Sequence, residues 1–169
     1  LPISAVIYSQ TVILAALAVA KDVTQGATDK DGALHRIAAI EIATTRRGYQ
    51  QAGSEPEKWT PKTRDTADHS LPYIAARAMF DGDITNASYT PEKLSDPRIL
   101  AFMSKIKVAE DPALTARTGA SVPARITATM PDGKRISHEI DDVPGFPGRP
   151  LGRADVERKF LSSIGARWP

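Results

Sequence analysis

Cysteine is absent from this 169-residue sequence. Its absence excludes disulfide bonds, thiolate metal sites, a cysteine nucleophile and a cysteine-bound iron–sulfur cluster within the chain. The three histidines, His35, His69 and His138, lie far apart and lack the paired spacing of a helical zinc site. Glycine-rich phosphate and dinucleotide loops are missing as well. The sequence therefore predicts neither a metal site nor a bound cofactor.

Strong charge of one sign is also lacking. The 22 lysines and arginines nearly balance the 20 aspartates and glutamates, which leaves a formal net charge of +2. The basic residues form no stripe, so we expect no nucleic-acid partner. Hydrophobic residues make up 41% of the chain, a proportion typical of a globular domain.

No hydrophobic run is long enough to cross a membrane. The most apolar run, from Val12 to Ala20, falls far short of the roughly 20 residues that a bilayer requires. A signal peptide would carry a basic segment before such a run, and none is present. The run predicts instead a helix from about Gln10 to Lys21 that is buried on most sides. Because one small sheet covers only one side of a helix, we expect mass from outside the chain, or a second subunit, to cover the rest.

The other segments predict an α+β domain. Residues Leu34 to Thr44 favour a strand, Ser70 to Phe80 favour a helix that stops before Gly82, and residues 45–68 are typical of a long polar loop. Alternating apolar residues on both sides of residues 131–134 indicate a β-hairpin. Strands and helices do not alternate strictly. The pattern therefore predicts a small, mostly antiparallel sheet with helices packed on one face.

A dense polar cluster lies at the start of the predicted helix at Ser70. Its members are Arg64, Asp65, Asp68, His69, Ser70 and Tyr73. The free N–H groups at a helix start attract anions, and a nearby histidine and arginine reinforce that attraction. The simpler alternative is that Asp68 or Ser70 only caps the helix and that His69 is a partly exposed neighbour.

The same region resembles a known family. Residues 66–73 (TADHSLPY), followed by residues 78–82 (AMFDG), are similar to the "ADHSLPY…LLDG" segment of the MmgE/PrpD family. Three further segments agree in order and spacing, namely Leu1-Pro2 with residues 8–11 ("YP…YHSQ"), residues 94–108 ("L.DP.V..L..KV.V") and residues 147–160 ("G.P.NPLS..ELEAKF"). The resemblance covers nearly the whole chain.

The resemblance implies a two-domain enzyme. Members have a large helical N-terminal domain and a smaller α+β domain, with the active site in the cleft between them. Residues 1–143 would form the α+β domain. Residues 144–169 would form a linker and a C-terminal helix that returns to a helical domain upstream of Leu1. The resemblance also implies a cytoplasmic homodimer that works without a cofactor.

The resemblance also implies which residues form the site. It gives catalytic roles to Tyr8 and His69, and substrate-binding roles to Ser9, Gln10, Ser70, Tyr73 and Arg149. Tyr8 stands where many relatives have histidine, and a tyrosine with its ordinary pKa of about 10 can donate a proton at neutral pH but is a poor base. The alternatives are that Tyr8 packs at the domain surface, that Tyr73 belongs to the core and that Arg149 fixes the linker.

The implied activity is that of a dehydratase, a lyase acting on a small polycarboxylate such as 2-methylcitrate in propionate catabolism. In such a reaction a base takes a proton from carbon, an acid protonates the leaving hydroxyl, and cations hold the carboxylates. Two alternatives stay open. One is a cis-aconitate decarboxylase or epimerase of the same family, which Tyr8 favours, and the other is a non-catalytic interaction domain when the chain is isolated.

Overall fold

The computed structural model describes residue 3, residues 5–119 and residues 121–164. The helices are α1 (Ser9–Val23), α2 (Lys30–His35), α3 (Arg46–Ala52), α4 (Arg64–Asp68), α5 (Leu71–Asp81), α6 (Pro91–Leu94), α7 (Pro97–Met103), α8 (Pro112–Ala116) and α9 (Arg153–Ile164). The strands are β1 (Ala39–Thr44), β2 (Ile106–Glu110), β3 (Ala124–Thr129) and β4 (Arg135–Ile140), and short 3-10 helices cover Pro56–Trp59 and Asn86–Tyr89. Leu1-Pro2, the start of one family segment, lies outside the described residues.

The strands form one sheet in the order β2-β1-β3-β4. β1 runs parallel to β2, whereas the β1–β3 and β3–β4 pairs are antiparallel. The predicted hairpin is β3–β4, and its turn is closed where the Met130 N–H donates to the Lys134 carbonyl at 2.8 Å. The prediction of a mostly antiparallel sheet is confirmed.

One face of the sheet is covered by helices and the other is polar. Ile40 and Ile126 are fully buried on the covered face, where α1 packs against β3 and β4 and α5 contacts β2. On the opposite face, Arg125 Nη1 donates to Glu139 Oε2 at 2.8 Å across the hairpin. Side chains alternate between the two faces of a strand, so this arrangement follows from the alternating pattern. The prediction of helices packed on one face is confirmed.

Helix α1 is buried as its sequence predicts, but by the chain itself. Val12, Ile13, Ala16 and Val19 are fully buried. The sheet covers one side of the helix, and α5 packs along the other. The expectation that mass from outside the chain, or a second subunit, covers the rest of α1 is therefore wrong. Within the described part of the chain, none of the helices is both long and apolar enough to cross a membrane.

Helix α5 begins and ends where the sequence predicts. Ser70 precedes its first turn, and the Ser70 hydroxyl accepts a hydrogen bond from the Tyr73 N–H at 3.1 Å. Pro72 lies in the first turn, where a proline costs no hydrogen bond. Gly82 ends the helix with φ +75°, a left-handed conformation that glycine adopts without strain.

The strand predicted from Leu34 starts later, at Ala39. Leu34 belongs instead to α2. Asp29 caps that helix by accepting the Gly32 N–H at 2.9 Å, so a helix forms where the strand was expected to begin. His35 therefore ends a helix, and its ring packs 5.0 Å from the ring of Phe80.

Residues 45–68 are not the long loop that was predicted. They contain α3, a 3-10 helix and α4. Thr45 accepts the Gly48 N–H at 3.2 Å, and Thr63 accepts the Thr66 N–H at 3.2 Å, so threonine caps start both α-helices. Helices of five and seven residues are too short to show an apolar period, which is why the pattern missed them.

The chain ends in a connector and an amphipathic helix. α9 carries ion pairs on its polar side, with Arg153 Nε 2.7 Å from Glu157 Oε1. On its apolar side, Val156, Phe160 and Leu161 are 53%, 61% and 61% exposed. The predicted C-terminal helix is therefore present as α9, and its large apolar side chains are exposed to solvent.

Candidate functional site

The first group of predicted site residues lies at the amino end of α1. Tyr8 immediately precedes the helix and is half-buried, and its hydroxyl forms no hydrogen bond with the described residues. Ser9 and Gln10 follow it in the first turn and are fully buried. Thr11 Oγ1 donates to the Val122 carbonyl at 2.6 Å and ties this turn to the segment before β3.

Two polar atoms in this turn are buried without a partner. Gln10 Nε2 donates to the carbonyls of Ile3 and Ala5 at 3.1 and 2.8 Å and so holds the preceding segment against the helix. Gln10 Oε1 and Ser9 Oγ have no hydrogen-bond partner among the described residues. Most buried polar atoms in proteins are paired, so these two atoms are exceptions at the amino end of α1.

The second group lies between α4 and α5. His69 follows α4 directly, and its side chain is 45% exposed. Its Nδ1 contacts Asp68 Oδ1 and lies 3.1 Å from the Asp65 carbonyl oxygen. Sequence reasoning treated Asp68 only as a possible helix cap. Ser70 provides the cap instead, and the carboxylate of Asp68 is left to hold the histidine ring.

Ser70 and Tyr73 are fully buried beside His69. The Ser70 hydroxyl donates to the Lys58 carbonyl. The Tyr73 hydroxyl donates to the Ser88 carbonyl at 2.6 Å. Burial raises the pKa of Tyr73 to about 12, so this phenol is neutral at physiological pH. Both hydroxyls already have protein partners.

The basic side chains around this group are tied to neighbours. Arg64 Nη2 donates to Asn86 Oδ1 at 3.0 Å, and its guanidinium lies 5.7 Å from the centre of the Tyr89 ring. Lys58 Nζ lies 3.3 Å from Glu55 Oε2, and only 8% of the Lys58 side chain is exposed. These contacts fix the positions of two cations near the start of α5.

The two groups lie toward the same end of the domain. α1 and α5 pack along each other. The carboxyl-terminal half of α1, through Leu17, Ala20 and Lys21, and the end of α5, through Ala78 to Gly82, line one cavity of about 390 Å³. Because their carboxyl ends meet there, the helices run in the same direction, and their amino ends point the same way. Helix amino ends carry partial positive charge, so this end of the domain favours anions.

Arg149 lies apart from both groups. It is exposed in the connector before α9, where its N–H donates to the Phe146 carbonyl at 2.9 Å and its carbonyl accepts the Gly145 N–H at 2.8 Å. Its guanidinium makes no ion pair with the described residues. The connector thus holds the backbone of Arg149 and leaves its side chain free.

The clearest cavities of the domain lie elsewhere. Three surface cavities of about 330, 390 and 430 Å³ are lined without Tyr8, His69 or Arg149. The buried polar atoms without a partner among the described residues, Ser9 Oγ and Gln10 Oε1, lie instead at the amino end of α1. Among the described residues, no three histidine, aspartate or glutamate side chains come together to hold a metal ion.

Comparison with known proteins identifies relatives of this chain. A family model described as "MmgE/PrpD C-terminal domain" matches residues 4–169. A 2-methylcitrate dehydratase of Cupriavidus necator is 29% identical over 143 residues, which cover 79% of this chain and 29% of that protein. A cis-aconitate decarboxylase of Mus musculus is 27% identical over 103 residues, covering 61% and 21%. A 2-methylcitrate dehydratase of Salmonella typhimurium is 28% identical over 163 residues, covering 80% and 33%. The chain spans between a fifth and a third of the length of these relatives.

Proposed function

The chain belongs to the MmgE/PrpD family, as its C-terminal domain, and from this premise we propose that it supplies part of the active site of a lyase for small polycarboxylates. The first candidate reaction is the dehydration of 2-methylcitrate or a similar hydroxy acid. Two relatives named 2-methylcitrate dehydratase match most of this chain, which supports the proposal.

The observation that carries the proposal is the shared direction of α1 and α5. A substrate with several carboxylates would lie where two helix amino ends add their partial positive charges. Ser9 Oγ and Gln10 Oε1 are unpaired among the described residues at one of these ends, and the exposed His69 lies beside the other. Binding, acid and base groups thus come from one end of the domain.

In the proposed dehydration, His69 Nε2 takes the proton from the carbon next to a carboxylate. The electron pair of that C–H bond becomes the second bond of the new C=C, and the C–O bond breaks. Tyr8 gives its hydroxyl proton to the departing oxygen, which leaves as water. The proton on His69 returns to Tyr8 through solvent and restores the starting state. We assign Ser70 and Tyr73 to shaping the start of α5, because their hydroxyls already have partners.

This elimination passes no electrons to an acceptor and so needs no redox cofactor, and we propose that it also proceeds without a metal ion. The intact protein should keep its activity after dialysis against EDTA. Loss of activity that a divalent cation restores would show that the reaction depends on a metal.

A decarboxylase or epimerase is the second candidate. Tyr8 favours it, because tyrosine occupies the position where many relatives carry histidine and is suited to giving a proton to carbon after carbon dioxide leaves. The similarity to cis-aconitate decarboxylase is consistent with this reaction.

Substrate screening separates these candidates. The intact protein would be offered citrate, 2-methylcitrate and cis-aconitate, with unsaturated acid followed by its ultraviolet absorbance and carbon dioxide by trapping. Dehydration predicts unsaturated acid from a hydroxy acid, and decarboxylation predicts carbon dioxide from cis-aconitate. Turnover of none of the three would contradict both.

Variants of the two catalytic residues test the site. His69→Gln and Tyr8→Phe should each lower kcat by about 100-fold, in the range usual for a general acid or base. His138→Gln is the matched control, because Nε2 of His138 already contacts Asp22 Oδ2 at 2.7 Å near the opposite end of α1. Equal activity of His69→Gln and His138→Gln would contradict the assignment.

We further propose that the site is completed by a helical domain of the same protein and that α9 packs on that domain, in a cytoplasmic homodimer. The exposed apolar side of α9 supports this proposal, because a row of exposed apolar side chains on a helix usually packs against a partner. The alternative is an interaction module without activity. Full activity of the isolated 169-residue chain would exclude both the module and the need for a second domain.

A further inference from the structure

We propose that Asp68 is a positioning residue that fixes the tautomer of His69, so that Nδ1 carries the ring hydrogen and Nε2 is free to act as the base. The inference deepens the proposed function and rests on it for its role in the reaction. The tautomer itself is a property of the folded domain and can be measured separately.

The assignment follows from the two neighbours of Nδ1. One is the carboxylate of Asp68 and the other is the Asp65 carbonyl oxygen at 3.1 Å. A carbonyl and an ionised carboxylate can only accept hydrogen bonds, so both contacts need a hydrogen on Nδ1. A neutral imidazole carries one ring hydrogen, which leaves an electron pair on Nε2.

The orientation of the ring is fixed as well. A half-turn of the ring would replace Nδ1 with a carbon atom and lose both hydrogen bonds. The backbone of His69 is held between two helices, because His69 directly follows α4 and directly precedes Ser70, which caps α5. Rigid elements on both sides therefore place the free nitrogen in one direction.

Asp68 has no competing ion pair. Among the described residues, its carboxylate makes no salt bridge with a lysine or an arginine, and the Asp68 side chain is 28% exposed. Arg64, the nearest arginine in the chain, donates to Asn86 instead. The negative charge of Asp68 is therefore available to hold the ring and to stabilise the imidazolium that forms when Nε2 takes a proton.

Nitrogen NMR of the intact protein, labelled with 15N-histidine, measures the tautomer. His69→Gln identifies the ring signals of His69 by their loss. At a pH where the ring is neutral, we expect the hydrogen on Nδ1. In Asp68→Ala, the fraction of rings with hydrogen on Nε2 should rise severalfold.

Asp65→Ala is the matched control, because it also removes one carboxylate but keeps the carbonyl that contacts the ring. It should leave the His69 signals unchanged. Asp68→Asn tests the same point without a cavity, since its amide oxygen can still accept from Nδ1. It should keep the tautomer and so remains informative if Asp68→Ala does not fold.

Kinetics connect the tautomer to the reaction. Asp68→Ala should lower kcat by about tenfold or more, as when the orienting partner of a functional histidine is removed, with KM within about twofold. Asp65→Ala should keep kcat. A kcat equal to that of the unchanged protein would overturn the positioning role.

The tautomer of His69 and the use of His69 in catalysis can be contradicted separately. A hydrogen on Nε2 in the unchanged protein, or a tautomer that Asp68→Ala does not alter, overturns the inference whatever the reaction is. A tautomer that behaves as expected while His69→Gln remains fully active overturns the proposed use of His69 in catalysis and leaves the ring geometry standing.

Discussion

Arg77 shows at the scale of one residue how this domain holds a buried charge. Its side chain is fully buried, and its guanidinium donates to Asp81 Oδ1 at 2.8 Å and to Asp96 Oδ2 at 3.1 Å. Asp96 also accepts from Arg98, and this bond, with that of Arg77, lowers the pKa of Asp96 to about 2. The guanidinium thereby joins α5 to the start of α7.

Arg77→Leu should lower the free energy of unfolding by about 3–5 kcal/mol, because it leaves two carboxylates without their buried partner. Urea denaturation of the domain measures the loss. Arg98→Leu removes an exposed arginine from the same Asp96 and should cost much less. Similar losses in both variants would show that burial of Arg77 is not what matters.

Tyr73 predicts how stability depends on alkaline pH. Burial raises its pKa to about 12, above the value near 10 of an unfolded chain. Folding keeps the Tyr73 phenol neutral. Its contribution to the stability of the domain is therefore complete below pH 10 and is lost as pH rises from 10 to 12. Over that interval the free energy of unfolding should fall by about 1.4 kcal/mol per pH unit on account of this residue.

Tyr73→Phe should remove that part of the alkaline slope and lose about 1 kcal/mol at neutral pH with the hydrogen bond to Ser88. Tyr49→Phe is the control, since the Tyr49 hydroxyl makes no hydrogen bond with the described residues. Denaturation curves between pH 8 and 12 measure both. If the free energy of unfolding of Tyr73→Phe fell with pH as steeply as that of the unchanged protein, the prediction would be contradicted.

At the scale of the element, the end of α5 depends on one backbone conformation. Gly82 has φ +75°, and no atom lies within 4 Å of an added Cβ. Gly82→Ala should therefore destabilise the domain by about 1 kcal/mol through backbone strain alone. Gly82→Asn should lose less, because asparagine tolerates the left-handed region better. Melting temperatures rank the two variants, and equal losses would point to another cause.

The sequence predicted some elements and missed others for a physical reason. α1, α5 and the β3–β4 hairpin carry their own signals: a long apolar run, a capped helix with a closing glycine, and alternation around a turn. α2 and α4 depend on single capping contacts by Asp29 and Thr63, which a periodic pattern does not register.

The candidate site was predictable in part. The motif placed His69 at the start of a helix, where the structure has it. It did not reveal the contact between Asp68 and the His69 ring, because that contact depends on the local backbone between α4 and α5 and on the rotamers of both side chains. It did not reveal the common direction of α1 and α5 either, because that depends on how distant segments pack. The catalytic and binding roles of the seven predicted residues stay predictions.

At the scale of the whole molecule, the apolar side of α9 predicts a partner. Phe160 and Leu161 are both 61% exposed. Changing both to serine should leave the stability of the α+β domain unchanged, because neither side chain belongs to its core. In the intact protein, the same change should speed hydrogen exchange in α9 several-fold if the helix packs on a second domain. Unchanged exchange would contradict that packing.

The parallel pairing of β1 and β2 sets an order for the folding of the chain. β3 and β4 are joined by a tight turn and can pair early, whereas the pairing of β2 with β1 must close a long loop that contains α3 to α7. That intervening stretch contains His69 and Ser70. Pulse-labelled hydrogen exchange should thus protect the hairpin before β2, and simultaneous protection would contradict this order. The histidine would then reach its working geometry only after the hairpin has formed, so that incompletely folded copies could contain a native hairpin and still lack a competent site.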